Sequence, residues 1–140
     1  MLVNIKKLHP DAVIPTYAKP GDAGMDVTAV SVEITEDYVE YDTKLAFEVP
    51  TNHVLLIFPR SSNSKKDLLL ANSVGVLDSQ YRGPLKLRFK LLKDGSDKIY
   101  QVGDRVGQIM ILPYPTIEFN EVDELSDTER GASGFGSSGK

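Results

Sequence analysis

The stretch Asn72-Ser-Val-Gly-Val-Leu-Asp-Ser-Gln-Tyr-Arg-Gly83 has the composition of a tight β-hairpin near the middle of a 140-residue chain. Aliphatic residues flank Gly75, and an Arg-Gly pair closes the stretch. Asp78 and Tyr81 would project from the exit strand of this hairpin, which packing alone does not require. We therefore predict a site in which main-chain groups of the turn bind a small planar ligand, with a carboxylate and an aromatic ring beside it. An ordinary structural hairpin is the alternative.

Signals for short β-strands dominate the rest of the chain. Val54–Phe58 is an apolar run that ends at a proline, and Val106–Leu112 is another run, entered through a Gly-Asp turn. Residues 86–91 alternate between charged and apolar side chains, which is the period of a half-buried strand. Eight prolines punctuate the chain, which leaves one helix candidate at Ser61–Asp67, with a serine as its cap. The pattern predicts an all-β sandwich or barrel with one short helix.

A chain of 140 residues has the length of a single domain with its own core. A net charge of −4 argues against a nucleic-acid partner, because such proteins usually carry a basic face. The chain has no cysteine, and no apolar run reaches the length of a membrane span. We expect no nucleic-acid and no membrane partner, and we expect a cytoplasmic protein that acts in its own cell or in a host cell.

The C-terminal segment differs in composition from the rest. Residues 130–140 contain four glycines and three serines around one aromatic residue, Phe135. Such a segment buries too little apolar surface to order itself. We predict a β domain over residues 1–120 and a flexible arm over residues 121–140. Residues 134–140 match most of a P-loop pattern without its flanking strand and helix, so they predict only phosphate contacts through glycine amides and serine hydroxyls.

Three further positions carry groups suited to phosphate or metal. Arg60 and the serines at 61 and 62 follow a predicted strand and can contact phosphate oxygens; a capping serine beside a surface arginine is the alternative. Asp26 opens another strand, where one carboxylate can hold Mg²⁺ through bound water or simply shape a turn. Gln108 lies in a strand among aliphatic residues, so its amide either faces solvent or donates to a phosphate.

Taken in order, five stretches resemble the motifs of the trimeric dUTPase family (deoxyuridine triphosphate nucleotidohydrolases). The third of these stretches is the most specific, and the five together span nearly the whole chain. They are Ala23–Val27, Pro59–Ser62, Asn72–Gly83, Gly103–Ile109 and Arg130–Gly139.

This resemblance implies a fold, an assembly and a reaction. The fold is a jelly-roll-like β domain that forms a homotrimer, with active sites shared between subunits. The reaction is hydrolysis of dUTP to dUMP and pyrophosphate with Mg²⁺, which keeps uracil out of DNA and supplies dUMP for thymidylate synthesis. The C-terminal arm is implied to close over the active site of another subunit.

The resemblance also implies a role for each site residue. Asp78 is implied to orient the attacking water as a buried general base, and Asp26 to hold the water shell of Mg²⁺. Tyr81 is implied to stack on the deoxyribose, and Phe135 to cover uracil. Contacts with the base, sugar or phosphates of dUTP are implied for Arg60, Ser61, Ser62, Asn72, Gly75, Val76, Leu77, Tyr81, Lys86, Gln108, Arg130, Phe135, Gly136, Ser137 and Ser138.

Three alternative functions and one additional role stand beside this interpretation. A dCTP deaminase on the same fold would need a general acid/base carboxylate beside the base, and residues 81–86 contain no glutamate. A nucleotide-binding trimer without activity, or a purely structural trimer, would not need every catalytic position filled. A second, regulatory role in binding a protein partner is also open, and the loop Lys93–Lys98 is where we would expect it.

One residue departs from the motifs of the family. Ser62, in the second motif, stands where many relatives have glycine.

Overall fold

A computed structural model of the chain describes residues 1–139. Lys140, which ends the predicted arm and the P-loop-like pattern, lies outside these residues. Within residues 1–139 the regular structure consists of ten β-strands and one short 3₁₀ helix, Ser61–Lys65. The strands are β1 Asn4–Lys7, β2 Met25–Thr28, β3 Ser31–Ile34, β4 Val39–Asp42, β5 Leu45–Glu48, β6 His53–Phe58, β7 Leu68–Leu70, β8 Gly75–Leu77, β9 Lys86–Leu91 and β10 Arg105–Pro113.

The strands form two four-stranded antiparallel sheets and one two-stranded sheet. The orders are β2-β10-β6-β8, β3-β4-β9-β7 and β1-β5. Apolar side chains from both larger sheets join one buried core, for example Ile109 of β10 and Phe89 of β9. The alternation predicted for residues 86–91 is present, because every second side chain of β9 points into this core. The predicted all-β, jelly-roll-like sandwich is confirmed.

Three aromatic rings stabilise the centre of this core. The rings of Tyr41, Phe89 and Tyr100 lie with their centroids 5.7 to 5.9 Å apart, and Tyr41 meets each of the others edge to face. The Tyr41 hydroxyl donates a hydrogen bond to the Tyr100 carbonyl at 2.8 Å. Tyr100 follows β9 in the chain, so this cluster fixes the segment that leads into β10.

The predicted hairpin at residues 72–83 is wrong, because β8 is the one strand in this range and it pairs with β6. β7 pairs with β9 and β8 pairs with β6, so the turn between β7 and β8 crosses from one sheet to the other. Asp78 and Tyr81 lie in the loop after β8 rather than on an exit strand. The helix prediction is right in place, but the residue before the helix, Arg60, gives no side-chain cap, and the helix ends at Lys65.

The last strand ends at Pro113, and residues 114–139 contain no helix or strand. Nearly all of these residues are exposed. The division into a domain over residues 1–120 and a flexible arm from residue 121 stays a prediction. In the part of the chain that the structure describes, no helix is long and apolar enough to cross a lipid bilayer.

Candidate active site

One sheet carries four of the five motifs. Asp26 lies on β2, Gln108 lies opposite it on β10, and Gln108 is also opposite Phe58, near the end of β6. Arg60 follows that end, and the neighbouring strand β8 carries the third motif. The antiparallel register therefore brings together residues that are far apart in the sequence.

The first group of site residues, here called the Arg60 cluster, consists of Asp26, Arg60, Ser62, Arg105 and Gln108. Arg60 Nε lies 3.1 Å from Asp26 Oδ1, and Arg105 Nη1 lies 3.5 Å from Asp26 Oδ2. Arg60 Nη1 also donates to Ser62 Oγ at 3.3 Å. The Gln108 amide donates to the Pro59 carbonyl at 3.0 Å. Two guanidinium groups and a hydroxyl thus lie together, which is a suitable arrangement for a phosphate chain.

The Arg60 cluster differs from the sequence-based prediction at two residues. Arg105 was missed, although it directly follows the Gly-Asp turn of the fourth motif. Ser61 was predicted to contact phosphate, but its side chain is exposed and its carbonyl accepts a hydrogen bond from Ser64. Asp26, Arg105 and Gln108 also line a cavity of about 560 Å³.

Gly24 packs directly against Gln108. A Cβ atom at this position would lie 2.6 Å from Gln108 Oε1, which is closer than such contacts occur. An alanine at this position would therefore displace the end of the Gln108 side chain.

The second group of residues lines a cavity of about 460 Å³ beside β8, here called the Asp78 cavity. Every residue that the resemblance assigns to the third motif lines it, and so does Lys86 of β9. The predicted residues in its wall are Asn72, Gly75, Val76, Leu77, Asp78, Tyr81 and Lys86. The structure thus brings together the residues predicted to surround the base and sugar.

The backbone before β8 forms a tight turn. Val74 N–H donates to the Asn72 carbonyl at 2.6 Å, and Ser73 lies between them at a positive φ of 60°. Gly75 then packs on Ile57, where a Cβ atom would lie 2.9 Å from Ile57 Cδ1. A strained turn and a close strand contact together fix the main chain that faces the cavity.

The loop after β8 is held by its own hydrogen bonds. Tyr81 N–H donates to the Asp78 carbonyl at 3.1 Å, and the Tyr81 hydroxyl donates to the Pro84 carbonyl at 3.0 Å. The expectation of a buried Asp78 is wrong for the single chain, because this residue is exposed. A second copy of the chain or the ligand itself would have to exclude water from it.

Lys86 is engaged in an ion-pair network at the cavity wall. Lys86 Nζ lies 3.1 Å from Glu40 Oε1, and Arg88 Nε lies 2.6 Å from Glu40 Oε2. Burial acts to raise the pKa of Glu40, but the hydrogen bonds from Arg88 and Lys86 outweigh it, so the pKa lies below its usual value. Glu40 lies on β4 and lines the Asp78 cavity. Because its carboxylate is held ionised, it is poorly suited to the proton transfers of a deaminase.

The third group of residues lies in the C-terminal segment. Arg130 Nε donates to the Ser133 carbonyl at 2.9 Å, and Arg130, Ser137 and Ser138 line a further cavity of about 450 Å³. Phe135 projects into solvent at a φ of 52°. Within residues 1–139, no residue of this segment lines the Asp78 cavity or the cavity beside Asp26.

A magnesium ion fits these residues only through water. Within residues 1–139, no three His, Cys, Asp or Glu side chains are grouped as a metal site would require. Both carboxylate oxygens of Asp26 already face guanidinium groups. Mg²⁺ keeps several waters and is commonly bound by one or two carboxylates with substrate phosphates, so an outer contact from Asp26 suits it.

The Arg60 cluster and the Asp78 cavity differ in the chemistry that they offer to a ligand. The Arg60 cluster suits a chain of phosphates, and the Asp78 cavity suits a planar ring with a sugar. Phosphates, a sugar and a planar base are the parts of a nucleotide, so the residues of this β-sandwich suit a nucleotide ligand.

Comparison with known proteins gives a consistent result. A family model described as dUTPase matches residues 10–139. A deoxyuridine 5'-triphosphate nucleotidohydrolase from Picosynechococcus sp. is 38% identical over 99% of this chain and 99% of its own length. Staphylococcus bacteriophage 80alpha dUTPase, solved with dUPNHPP, is 28% identical over 99% of both chains, with a TM-score of 0.85. The chain therefore belongs to the dUTPase family.

A further solved structure bears on the metal. A mutant dUTPase from phage phi11 of S. aureus is 25% identical, with a TM-score of 0.73 over 89% of this chain and 98% of that chain. That structure describes the coordination of a structural Mg(II) ion.

Proposed function

We propose that this protein hydrolyses dUTP to dUMP and pyrophosphate, by in-line attack of a water molecule on the α-phosphate. Membership of the dUTPase family makes it an enzyme of the nucleotidohydrolase class. The observation that carries the proposal is the Asp78 cavity, where the predicted base, sugar and catalytic residues meet. The product of the reaction, dUMP, would serve thymidylate synthesis, and removal of dUTP would keep uracil out of DNA.

Asp78 acts in this proposal as the general base. Its carboxylate is exposed at the mouth of the cavity, where it can accept a proton from a water molecule. A general base contributes about 10² to 10⁴-fold to the rate. The main chain of Gly75–Leu77 binds uracil, and Tyr81 lies against the deoxyribose.

The Arg60 cluster binds the phosphates. Phosphate hydrolysis depends on positioning and on neutralising charge more than on a covalent intermediate, and two arginines with a serine hydroxyl supply both. Mg²⁺, when bound with its water shell near Asp26, adds positive charge at the phosphates. Arg130 and the glycine and serine amides of the arm then cover the phosphates, and Phe135 covers the base.

We also propose that the active enzyme is a homotrimer with shared sites. This proposal is supported by the division of the site residues into three groups, since the arm lines neither main cavity of its own chain. An exposed Asp78 and a fully exposed Phe135 are further groups that a neighbouring subunit would cover. We expect the enzyme to work in a cytoplasm, and a regulatory protein partner at Lys93–Lys98 stays a hypothesis.

The test is pyrophosphate release from dUTP, dTTP, dCTP and UTP, with and without Mg²⁺. We expect turnover of dUTP alone, dependent on Mg²⁺, and loss of at least about 10²-fold in Asp78→Asn. Asp94→Asn is the matched control, because Asp94 is an exposed carboxylate in a loop that lines neither main cavity.

The other outcomes identify the alternatives. Ammonia released from dCTP would move the protein to the deaminases. Equal loss in Asp78→Asn and Asp94→Asn would remove the catalytic role of Asp78. No turnover of any of the four nucleotides would leave a nucleotide-binding protein without this activity.

A further inference from the structure

Asn63 connects the two ends of the short helix that follows Arg60. Its main-chain N–H donates to the Arg60 carbonyl at 2.9 Å, and its carbonyl accepts a hydrogen bond from Lys66 N–H at 3.0 Å. These two bonds close the helical turn that carries Ser62. The position of Asn63 therefore determines where Arg60 and Ser62 lie.

The side chain of Asn63 joins this turn to two other parts of the molecule. Its amide nitrogen donates to the Leu68 carbonyl, at the start of β7, at 2.9 Å. Its amide oxygen accepts a hydrogen bond from the Tyr100 hydroxyl at 3.2 Å. All four polar groups of Asn63 are thus hydrogen-bonded, and Tyr100 supplies the contact that is most distant in sequence.

Tyr100 is suited to hold this turn because its own position is fixed. Its side chain is only 3% exposed, and its ring packs on Tyr41 and Phe89. Lys66 Nζ lies 5.1 Å from the centre of the ring and donates to the neighbouring Ile99 carbonyl. Burial raises the pKa of Tyr100, so the hydroxyl keeps its proton and remains a donor.

We propose that Tyr100 is a positioning residue for the phosphate site, whose hydroxyl holds the Arg60–Ser62 segment through Asn63. The ring of Tyr100 packs in the core whether or not it carries a hydroxyl. The hydroxyl adds a hydrogen bond to Asn63 in the turn beneath the Arg60 cluster, so its specific role is to hold the turn that places Arg60 against Asp26. The proposal rests on the proposed function for the identity of the ligand, a nucleoside triphosphate.

The test is Tyr100→Phe in the full chain. We expect KM for dUTP, and Kd for inorganic tripolyphosphate measured by calorimetry, each to rise about two- to tenfold, as loss of one hydrogen bond implies. We expect kcat to change less than KM. In an Asn63→Leu background Tyr100→Phe should change KM and Kd by a smaller factor than in the wild-type protein, because the two residues share the Tyr100–Asn63 hydrogen bond.

Tyr41→Phe is the matched control. It removes a second buried hydroxyl from the same aromatic cluster, one that donates to the Tyr100 carbonyl and does not contact the turn. We expect it to lower the Tm while KM and Kd stay at their wild-type values. A wild-type KM and Kd in Tyr100→Phe, or equal increases in both variants, would overturn the proposal.

The two proposals can fail separately. If the wild-type protein does not hydrolyse dUTP, the proposed function is wrong, but the tripolyphosphate measurement still decides the role of Tyr100. If the wild-type protein binds no tripolyphosphate, there is no phosphate site for Tyr100 to position, and this proposal is wrong as well.

Discussion

The Arg60 cluster and the Asp78 cavity lie on the same sheet but differ in how much of each the single chain completes. In the cluster, Asp26 is paired with two arginines, and Gln108 is bonded to the main chain. In the cavity, Asp78 is exposed, and its carboxylate has no hydrogen-bond or ion-pair partner within residues 1–139. Under the proposed function, the chain arranges the phosphate-binding residues in advance and leaves the residues around the base to be completed on binding.

Removing Arg60 tests the arranged side. Arg60→Ala should lower kcat/KM for dUTP about 100-fold, because a charge-assisted hydrogen bond contributes about 1.5 to 3 kcal/mol and Asp26 also loses a partner. The Tm should change little, since a partly exposed ion pair adds little stability. Steady-state pyrophosphate release measures the effect. Arg60→Lys keeps the charge without the planar fork and should recover only part of it. Wild-type kcat/KM in Arg60→Ala would contradict the assignment.

Removing Phe135 tests the side that is completed on binding. Phe135→Ala should lower kcat/KM for dUTP about tenfold or more, because stacking of an aromatic ring on a base contributes about 1 to 3 kcal/mol. The Tm and the oligomeric mass should stay unchanged, since the ring is fully exposed. Kinetics and light scattering separate these results. If the assembly dissociates instead, Phe135 has a packing role.

Alanine substitutions at Gly75 and Gly24 should differ in their effects on stability and on KM. Gly75→Ala should lower stability by about 1 to 3 kcal/mol, because its Cβ would press on both Cβ and Cδ1 of Ile57. Gly24→Ala would meet only the flexible end of Gln108, so it should affect the Tm less and raise KM by displacing that amide. Thermal unfolding and KM, measured on both variants, test the contrast. A wild-type KM in Gly24→Ala would argue against a binding role for Gln108.

The smallest expected effect concerns the wall of the Asp78 cavity. The pKa of Glu40 is lowered from 4.5, so its ion pairs stabilise the fold above that pH and are lost as the pH falls through the folded-state value. The difference in unfolding free energy between wild type and Glu40→Gln should therefore be largest near neutral pH and shrink below pH 4.5. Urea unfolding across this range measures it. A difference between wild type and Glu40→Gln that does not change with pH would contradict the role given to the Glu40 ion pairs.

Much of the fold was predictable because the signals are local. The apolar run before Pro59 and the alternation at residues 86–91 predicted β6 and β9 directly. The hairpin was mispredicted because composition does not tell which strand will be the partner. β7 and β8 are consecutive in the sequence, yet each pairs with a more distant strand in its own sheet.

The site was predictable to the extent that it lies in motifs. Asp78 and its neighbours could be named from the third motif, and the structure gathers them around one cavity. Tyr100 and Asn63 could not, because their hydrogen bond joins residues 37 positions apart. Arg105 lies within the fourth motif, and its position directly after a Gly-Asp turn was a signal by which it could have been predicted.

β8 is the last strand of its sheet, and in residues 1–139 only β6 pairs with it. The outer edge of such a strand offers unpaired N–H and C=O groups, and Val76 at its centre is exposed. Uracil carries two carbonyls on either side of an N–H, the same alternation that an adjacent strand would present. Under the proposed function, uracil would bind this edge as a one-residue strand that extends the sheet. Because β8 has three residues, it leaves few backbone groups with which a polypeptide strand could pair.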